Sequence, residues 1–135
     1  DWYYLFASYD LCCRGEKSTY NVVVGRSKAV TGPYFDKDGV SMMNSGGTTV
    51  AKGNEQFAGV GHCSVYTFGD KDYIFMHGYD KDHDYRSKLL VREMTWSEDG
   101  WPVVVLYFVF SDGRSQSINL YICSLNISDC IFYER

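Results

Sequence analysis

Residues 57–80 hold two runs rich in aromatic and β-branched side chains, parted by Gly69-Asp-Lys-Asp. Turn formers between two such runs are the signature of a β-hairpin. Few patterns restrict a chain more, because a hairpin fixes both the direction and the neighbour of its strands. The chain doubles back, so the start of the first strand and the end of the second share one end of the sheet. His62 is therefore expected near His77, Tyr79 and Asp80, as a polar group of two imidazoles, a phenol and a carboxylate.

The hairpin sits inside a longer repeat. An aromatic strand at 2–10 leads through a polar loop at 11–20 to a Val-rich strand at 20–27. The turn signals Thr31-Gly-Pro-Tyr and Asp36-Lys-Asp-Gly follow, then a weak outer strand within 40–52, broken by Ser45-Gly-Gly. After the hairpin come a charged loop at 80–87, a strand at 88–96, the turn Ser97-Glu-Asp-Gly and a strand from Trp101. Tyr9-Asp10 and Tyr79-Asp80 close equivalent strands seventy residues apart. Repeated four-stranded units of this kind are the blades of a β-propeller. The second unit is complete, whereas the first lacks an inner strand ahead of its aromatic one. Blades bury their faces only against neighbours, and exposed edges invite aggregation. The chain is thus expected to be part of a larger ring.

Composition agrees with an all-β fold: 17% aromatic residues and 13 Gly against 2 Pro. A net charge of −4 without a basic stripe excludes nucleic acid as a partner, and an aromatic, mildly acidic surface suits neutral sugars. The longest apolar stretch, 103–110, has strand length, so no membrane span is expected. With no initiator Met and no leader, the sequence is expected to be a processed or internal piece. The 5 cysteines form no Cys-x-x-Cys pattern and give no zinc signature. Cys63 reads as a buried free thiol, while the adjacent Cys12 and Cys13 are either two thiols in a loop or a strained vicinal disulfide.

Longer motifs carry a resemblance. Tyr3-Tyr-Leu-Phe-Ala-Ser-Tyr-Asp-Leu-Cys-Cys-Arg-Gly, Ser18-Thr-Tyr, Val24-Gly-Arg-Ser and Thr31-Gly-Pro-Tyr resemble the fourth blade of the arabinanases of glycoside hydrolase family 43. Gly59-Val-Gly-His-Cys-Ser-Val-Tyr, His77-Gly-Tyr-Asp and Thr95-Trp-Ser-Glu-Asp-Gly-Trp-Pro resemble the fifth. The resemblance covers 1–104 and leaves 105–135 as an unassigned β-rich tail. It implies a five-bladed β-propeller of which this chain supplies about the last two blades. It also implies hydrolysis of α-1,5-linked L-arabinan, endo or exo, with inversion at the anomeric carbon. The acid and base carboxylates would then lie upstream, with no catalytic residue inside the chain. An amino-terminal complement becomes the expected partner, with arabinan or arabino-oligosaccharide as substrate and a secreted or periplasmic bacterial setting.

By the same resemblance His62 is a ligand of one central metal ion, taken to be calcium; the alternative is a histidine hydrogen-bonded in the core. His77, Tyr79, Cys12, Cys13, Ser18, Thr19 and Tyr20 are the candidate substrate contacts, against a role in loop packing. Asp10 and Asp80 read as turn anchors, and Glu16, Glu93 and Glu98 as solvated. Arg26 is expected in an ion pair within the sheet, and His83 in solvent. Asn126-Ile-Ser has the glycosylation pattern, which recurs by chance. Two rival functions stand beside hydrolysis of arabinan: a non-catalytic carbohydrate-binding β fragment, and a related propeller hydrolase acting on another pentose glycan such as xylan.

Overall fold

The computed structural model describes residues 1–104 and the strand Cys130–Glu134, in which Tyr133 alone has a described side chain. Asn126 and the remainder of the tail at 105–129 lie outside the described residues. The described strands are β1 (Tyr3–Tyr9), β2 (Asn21–Ser27), β3 (Thr48–Lys52), β4 (Phe57–Phe68), β5 (Lys71–Asp80), β6 (Arg86–Trp96), β7 (Pro102–Val104) and β8 (Cys130–Glu134). They pair antiparallel throughout, in two four-stranded sheets ordered β3-β2-β1-β8 and β4-β5-β6-β7. The repeat read from the sequence is therefore a repeat of structure. β1, β2 and β3 answer to β5, β6 and β7, and the two sheets are two blades of a β-propeller.

The hairpin turn is tighter than its composition suggests. β5 already starts at Lys71, so only Gly69 and Asp70 reverse the chain. Gly69 has φ +63. Positive φ at the first central residue and not at Asp70, the second, makes a type II′ turn, whose twist matches the flanking strands. The outer strand expected within 40–52 shrinks to β3, because Met42–Asn44 form a 3-10 turn and Ser45 takes φ +62.

Alternation along the strands builds one core between the blades. Tyr4 and Phe6 on β1 and Val22 and Val24 on β2 point inward at period two. They meet Val60 of β4, Ile74 and Met76 of β5, and Leu90 of β6 in a single buried cluster. Trp101, buried just before β7, joins it.

Two features depart from the sequence reading. Arg26 forms no ion pair among the described residues. Its guanidinium carbon lies 4.4 Å from the ring centroids of both Trp2 and Trp101, and its Nη1 donates to the Asp99 carbonyl at 2.7 Å. Three partners distant in sequence thus replace the expected carboxylate. The inner place of the first blade is also filled. β8 pairs with β1, Tyr3 facing Glu134 and Ala7 facing Cys130, where β4 stands beside β5 in the second blade.

Tyr133 fastens β8 to the second blade. Its hydroxyl donates to Asp72 Oδ1 at 2.6 Å and lies 2.9 Å from Thr67 Oγ1, while its ring stacks on Trp96 at 5.9 Å. Trp96 Nε1 donates to the other oxygen of Asp72 at 2.6 Å. Tyr133→Phe keeps the stack and removes the hydroxyl's bonds, one of them to a carboxylate. The expected outcome is a loss of about 1–2 kcal/mol of stability. It would be read as a lower urea midpoint at unchanged slope; an unchanged midpoint would deny the clamp.

Candidate functional site

β4 is irregular where it crosses the first blade. Its pairing with β5 shifts between Ala58 and Val60 and again between Gly61 and Ser64. Gly59 (φ +59) and His62 (φ +54) both take the left-handed conformation, which glycine adopts freely and histidine only at some cost. The first blade holds each irregularity. The Val60 N–H donates to the Tyr20 carbonyl at 2.7 Å, and the His62 N–H to Ser8 Oγ at 2.9 Å. A Cβ on Gly59 would stand 2.7 Å from that of Ser18, and one on Gly61 would stand 2.3 Å from the Tyr20 ring. Only glycine lets these backbones meet. A bulge redirects the side chain beside it. Here it exposes His62 while burying Cys63 next to it.

The hairpin delivers the juxtaposition expected of it. Gly61 is registered against His77, and Ala58 against Tyr79. His77 is the hub of a ring cluster, with centroid distances of 5.9 Å to His62, 5.3 Å to Tyr79 and 5.9 Å to Tyr20. The loop at 10–20 closes over this cluster, turning at Asp10 (φ +68) and Cys13 (φ +64) and through the 3-10 turn Gly15–Lys17. It is pinned by side chains. Tyr79 Oη accepts from the Cys13 N–H at 2.8 Å, Ser18 Oγ from Arg14 at 3.0 Å, and Thr19 Oγ1 from Leu11 at 3.2 Å. Burial raises the Tyr79 phenol above its ordinary value, against the lowering effect of the Cys13 N–H, so it is protonated at neutral pH.

The candidate contacts therefore divide. Ser18, Tyr20 and Tyr79 are buried, whereas Cys12 and His77 are half-buried and Cys13 and Thr19 exposed. No disulfide joins Cys12 to Cys13, so the vicinal pair is not bridged. Ser8, given no role of its own in the sequence reading, fixes the backbone of His62. Its signal was the pair of glycines flanking Val60 inside a strand, which marks a bulge or a close approach.

The two strand-closing aspartates anchor turns, as their sequence position predicts. Asp10 Oδ2 accepts from Asn21 Nδ2 at 2.6 Å. Asp80 is 4% exposed and caps the 3-10 turn Lys81–His83 by accepting from the Asp82 N–H at 3.0 Å. His83, although largely in solvent as expected, places Nδ1 2.8 Å from Asp80 Oδ2, and Lys88 Nζ lies at 3.5 Å. Glu93, also exposed, pairs with Lys71 at 2.9 Å. Among the described residues no three His, Cys, Asp or Glu side chains converge on a common metal position. His62 can offer one imidazole to an ion shared with other groups.

Burial raises the Asp80 carboxyl, but the Asp82 N–H, His83 and Lys88 together outweigh it and hold the group below its ordinary value. A depressed carboxyl stabilises the fold above its unfolded value, about 3.9, and loses that contribution as pH falls through the folded one. Asp80→Asn should therefore cost stability at neutral pH. The gap between wild type and variant should narrow on acidification below about pH 4. Thermal melts of both proteins across that range check the sign; a gap that ignores pH would contradict it.

The family model for glycosyl hydrolases family 43 matches residues 1–102. The chain is 51% identical over 104 residues to the extracellular exo-alpha-(1->5)-L-arabinofuranosidase ArbA of Cellvibrio japonicus, covering 77% of this chain and 30% of that protein. It is 43% identical over 101 residues to the extracellular endo-alpha-(1->5)-L-arabinanase 1 of Bacillus subtilis, covering 75% of this chain and 30% of the relative. The solved alpha-L-arabinanase of Cellvibrio cellulosa, complexed with arabinohexaose, superposes with a TM-score of 0.76 at 50% identity over 78% of this chain and 33% of its own. The chain thus spans about a third of the length of the proteins it matches. A match across both blades, carrying the bulged strand and the loop at 10–20 with it, places this chain in glycosyl hydrolases family 43.

Proposed function

We propose that this chain supplies two blades of a five-bladed propeller that hydrolyses α-1,5-linked L-arabinan with inversion at the anomeric carbon. The observation that carries the reading is the unbroken family match over 1–102, which includes the whole ring cluster and the loop above it. An exo-arabinofuranosidase and an endo-arabinanase are among the proteins similar over that stretch. Cys12, Cys13, Thr19 and His77 have surface to offer arabinose units; beneath them Tyr79 holds Cys13, Ser18 holds Arg14 and the Tyr20 ring packs on His77.

Inverting hydrolysis needs a carboxylic acid at the leaving oxygen and a carboxylate base, about 6.5–9.5 Å apart so that water fits between them. Asp10 and Asp80 are engaged in turns. By the family resemblance both catalytic carboxylates are assigned to sequence upstream of Asp1, and the amino-terminal complement is the partner of this chain. Two relatives are named as extracellular enzymes, which supports secretion from a bacterial cell.

The ion proposed at His62 is calcium. Calcium prefers oxygen ligands, so one imidazole fits only as a single corner of a sphere completed by water and by other blades. The exposed ring of His62, on a backbone fixed by Ser8, suits that corner. When bound, such an ion supplies positive charge that favours the ionised form of nearby carboxylates.

Mixing this chain with the amino-terminal part of the C. japonicus relative that it does not cover should release reducing ends from linear arabinan. Neither piece should do so alone. Binding without release in both conditions would favour the carbohydrate-binding alternative, and release from xylan instead would move the substrate. In the reconstituted enzyme His62→Ala should weaken calcium binding by about tenfold or more, the worth of one lost ligand in a water-rich site. Unchanged affinity by calorimetry would remove His62 from the ion.

A further inference from the structure

The far end of the two blades carries a second constellation that the hydrolytic reading leaves unused. The loop at 10–20 joins Tyr9 to Asn21, whereas Trp2, Arg26 and Lys28 lie around the opposite Tyr3–Ser27 end of the same strand pair. A seven-residue strand puts about 20 Å between the two ends. There Arg26, Trp2, Lys28, Phe35 and Lys37 line an open cleft of about 530 Å³.

We propose that this cleft is a second glycan site, in which the Arg26 guanidinium receives the carboxylate of a uronate residue in an acidic polysaccharide. Arg26 is held for the purpose. Trp2 and Trp101 flank it at 4.4 Å each, so its plane is fixed before any ligand arrives. A guanidinium has five N–H donors, of which one, on Nη1, is committed to the Asp99 carbonyl. A planar fork with donors to spare matches a carboxylate better than a lysine does.

Charge supports the same choice. The chain carries −4 overall, yet this cleft gathers Arg26, Lys28 and Lys37 against Asp36. Asp36 is already occupied, its oxygens accepting from the N–H groups of Asp38, Val40 and Gly47 at 3.0, 2.7 and 2.9 Å. Lys28 Nζ lies 3.9 Å from the Trp2 ring centroid and donates to the Asp1 carbonyl at 3.0 Å, which parks a cation at the cleft rim. Lys37 pairs with Asp99 at 2.9 Å, but both are half exposed, so the pair is weak and exchangeable.

The aromatic walls separate a sugar acid from a bare anion. Phe35 is 41% exposed at the cleft, offering an apolar surface to the C–H side of a pyranose that phosphate would not use. The choice of a sugar over other carboxylates rests on the polysaccharide reading above; the anion site itself does not.

Calorimetric titration of the wild-type chain with trigalacturonic acid should show binding that its methyl ester lacks. Arg26→Lys, which keeps charge and stem but loses the fork, should weaken binding about tenfold, as should Lys28→Gln. If a variant fails to fold, the comparison of acid with ester on the wild type decides alone. Equal binding of acid and ester, no binding of the acid, or its displacement by an equal concentration of inorganic phosphate would overturn the assignment. None of these results would alter arabinan hydrolysis by the reconstituted enzyme, so the two proposals fail separately.

Discussion

The contact of β4 with the first blade sets the position of everything at the site. Two residues are fixed there by groups of the other blade, Val60 by the Tyr20 carbonyl and His62 by Ser8, while Gly61 between them lies close against the Tyr20 ring. The approach is possible because two of the four residues 59–62 lack a Cβ. A regular strand would continue the pleat and send alternate side chains to fixed faces. This one slips register twice and leaves His62 at φ +54, a conformation uncommon outside glycine. Strain of that kind persists where the surroundings over-determine it, and here they do so through a neighbouring blade.

That dependence explains which parts of the molecule were legible in the sequence. Strand identity was legible, because alternation and turn residues are local: β1, β2, β4, β5, β6 and β7 fall where their patterns put them. The proximity of His62 to His77 was legible too, since it follows from hairpin geometry alone. The left-handed His62 was not, although Gly59 and Gly61 marked the place. Bulge geometry is decided by what the strand leans on, and Ser8 and Tyr20 lie about fifty and forty residues away. Arg26 was misread for the same reason. A basic residue near a strand end suggests a carboxylate partner, but Trp2 and Trp101 reach it only once both blades are assembled. The pairing of β8 with β1 joins opposite ends of the chain, beyond any local pattern.

The division of the loop residues into supports and exposed groups follows from one economy of hydrogen bonds. A polar loop packed over rings must satisfy its backbone N–H groups or lose stability. In the loop at 10–20, side chains do this: Tyr79 for Cys13, Ser18 for Arg14 and Thr19 for Leu11. The phenol of Tyr79 is thereby committed to shaping the loop, and the thiols of Cys12 and Cys13 stay unbridged above it. A residue type suited to sugar contact, such as tyrosine, can thus serve the site from beneath. Residue type alone did not say which of these groups would be buried; the packing of the loop does.

Propeller blades meet only their neighbours, so a site at one end of the ring is necessarily assembled from several of them. Within these two blades the described part is a ring cluster around His77 with a pinned loop above it. The imidazole of His62 is aimed by the first blade although it belongs to the second, and the loop at 10–20 belongs to the first although Tyr79 of the second pins it. Each blade therefore completes the other's contribution. Any change that separates them, even without touching His62 or His77, would remove the Ser8 and Tyr20 contacts that hold the backbone at 60–62. The same interlock operates at the opposite end, where Arg26 of the first blade is stacked on Trp101 of the second. One interface thus preorganises two constellations about 20 Å apart, so disrupting it should disturb both ends together, whereas a change within either cluster should stay local.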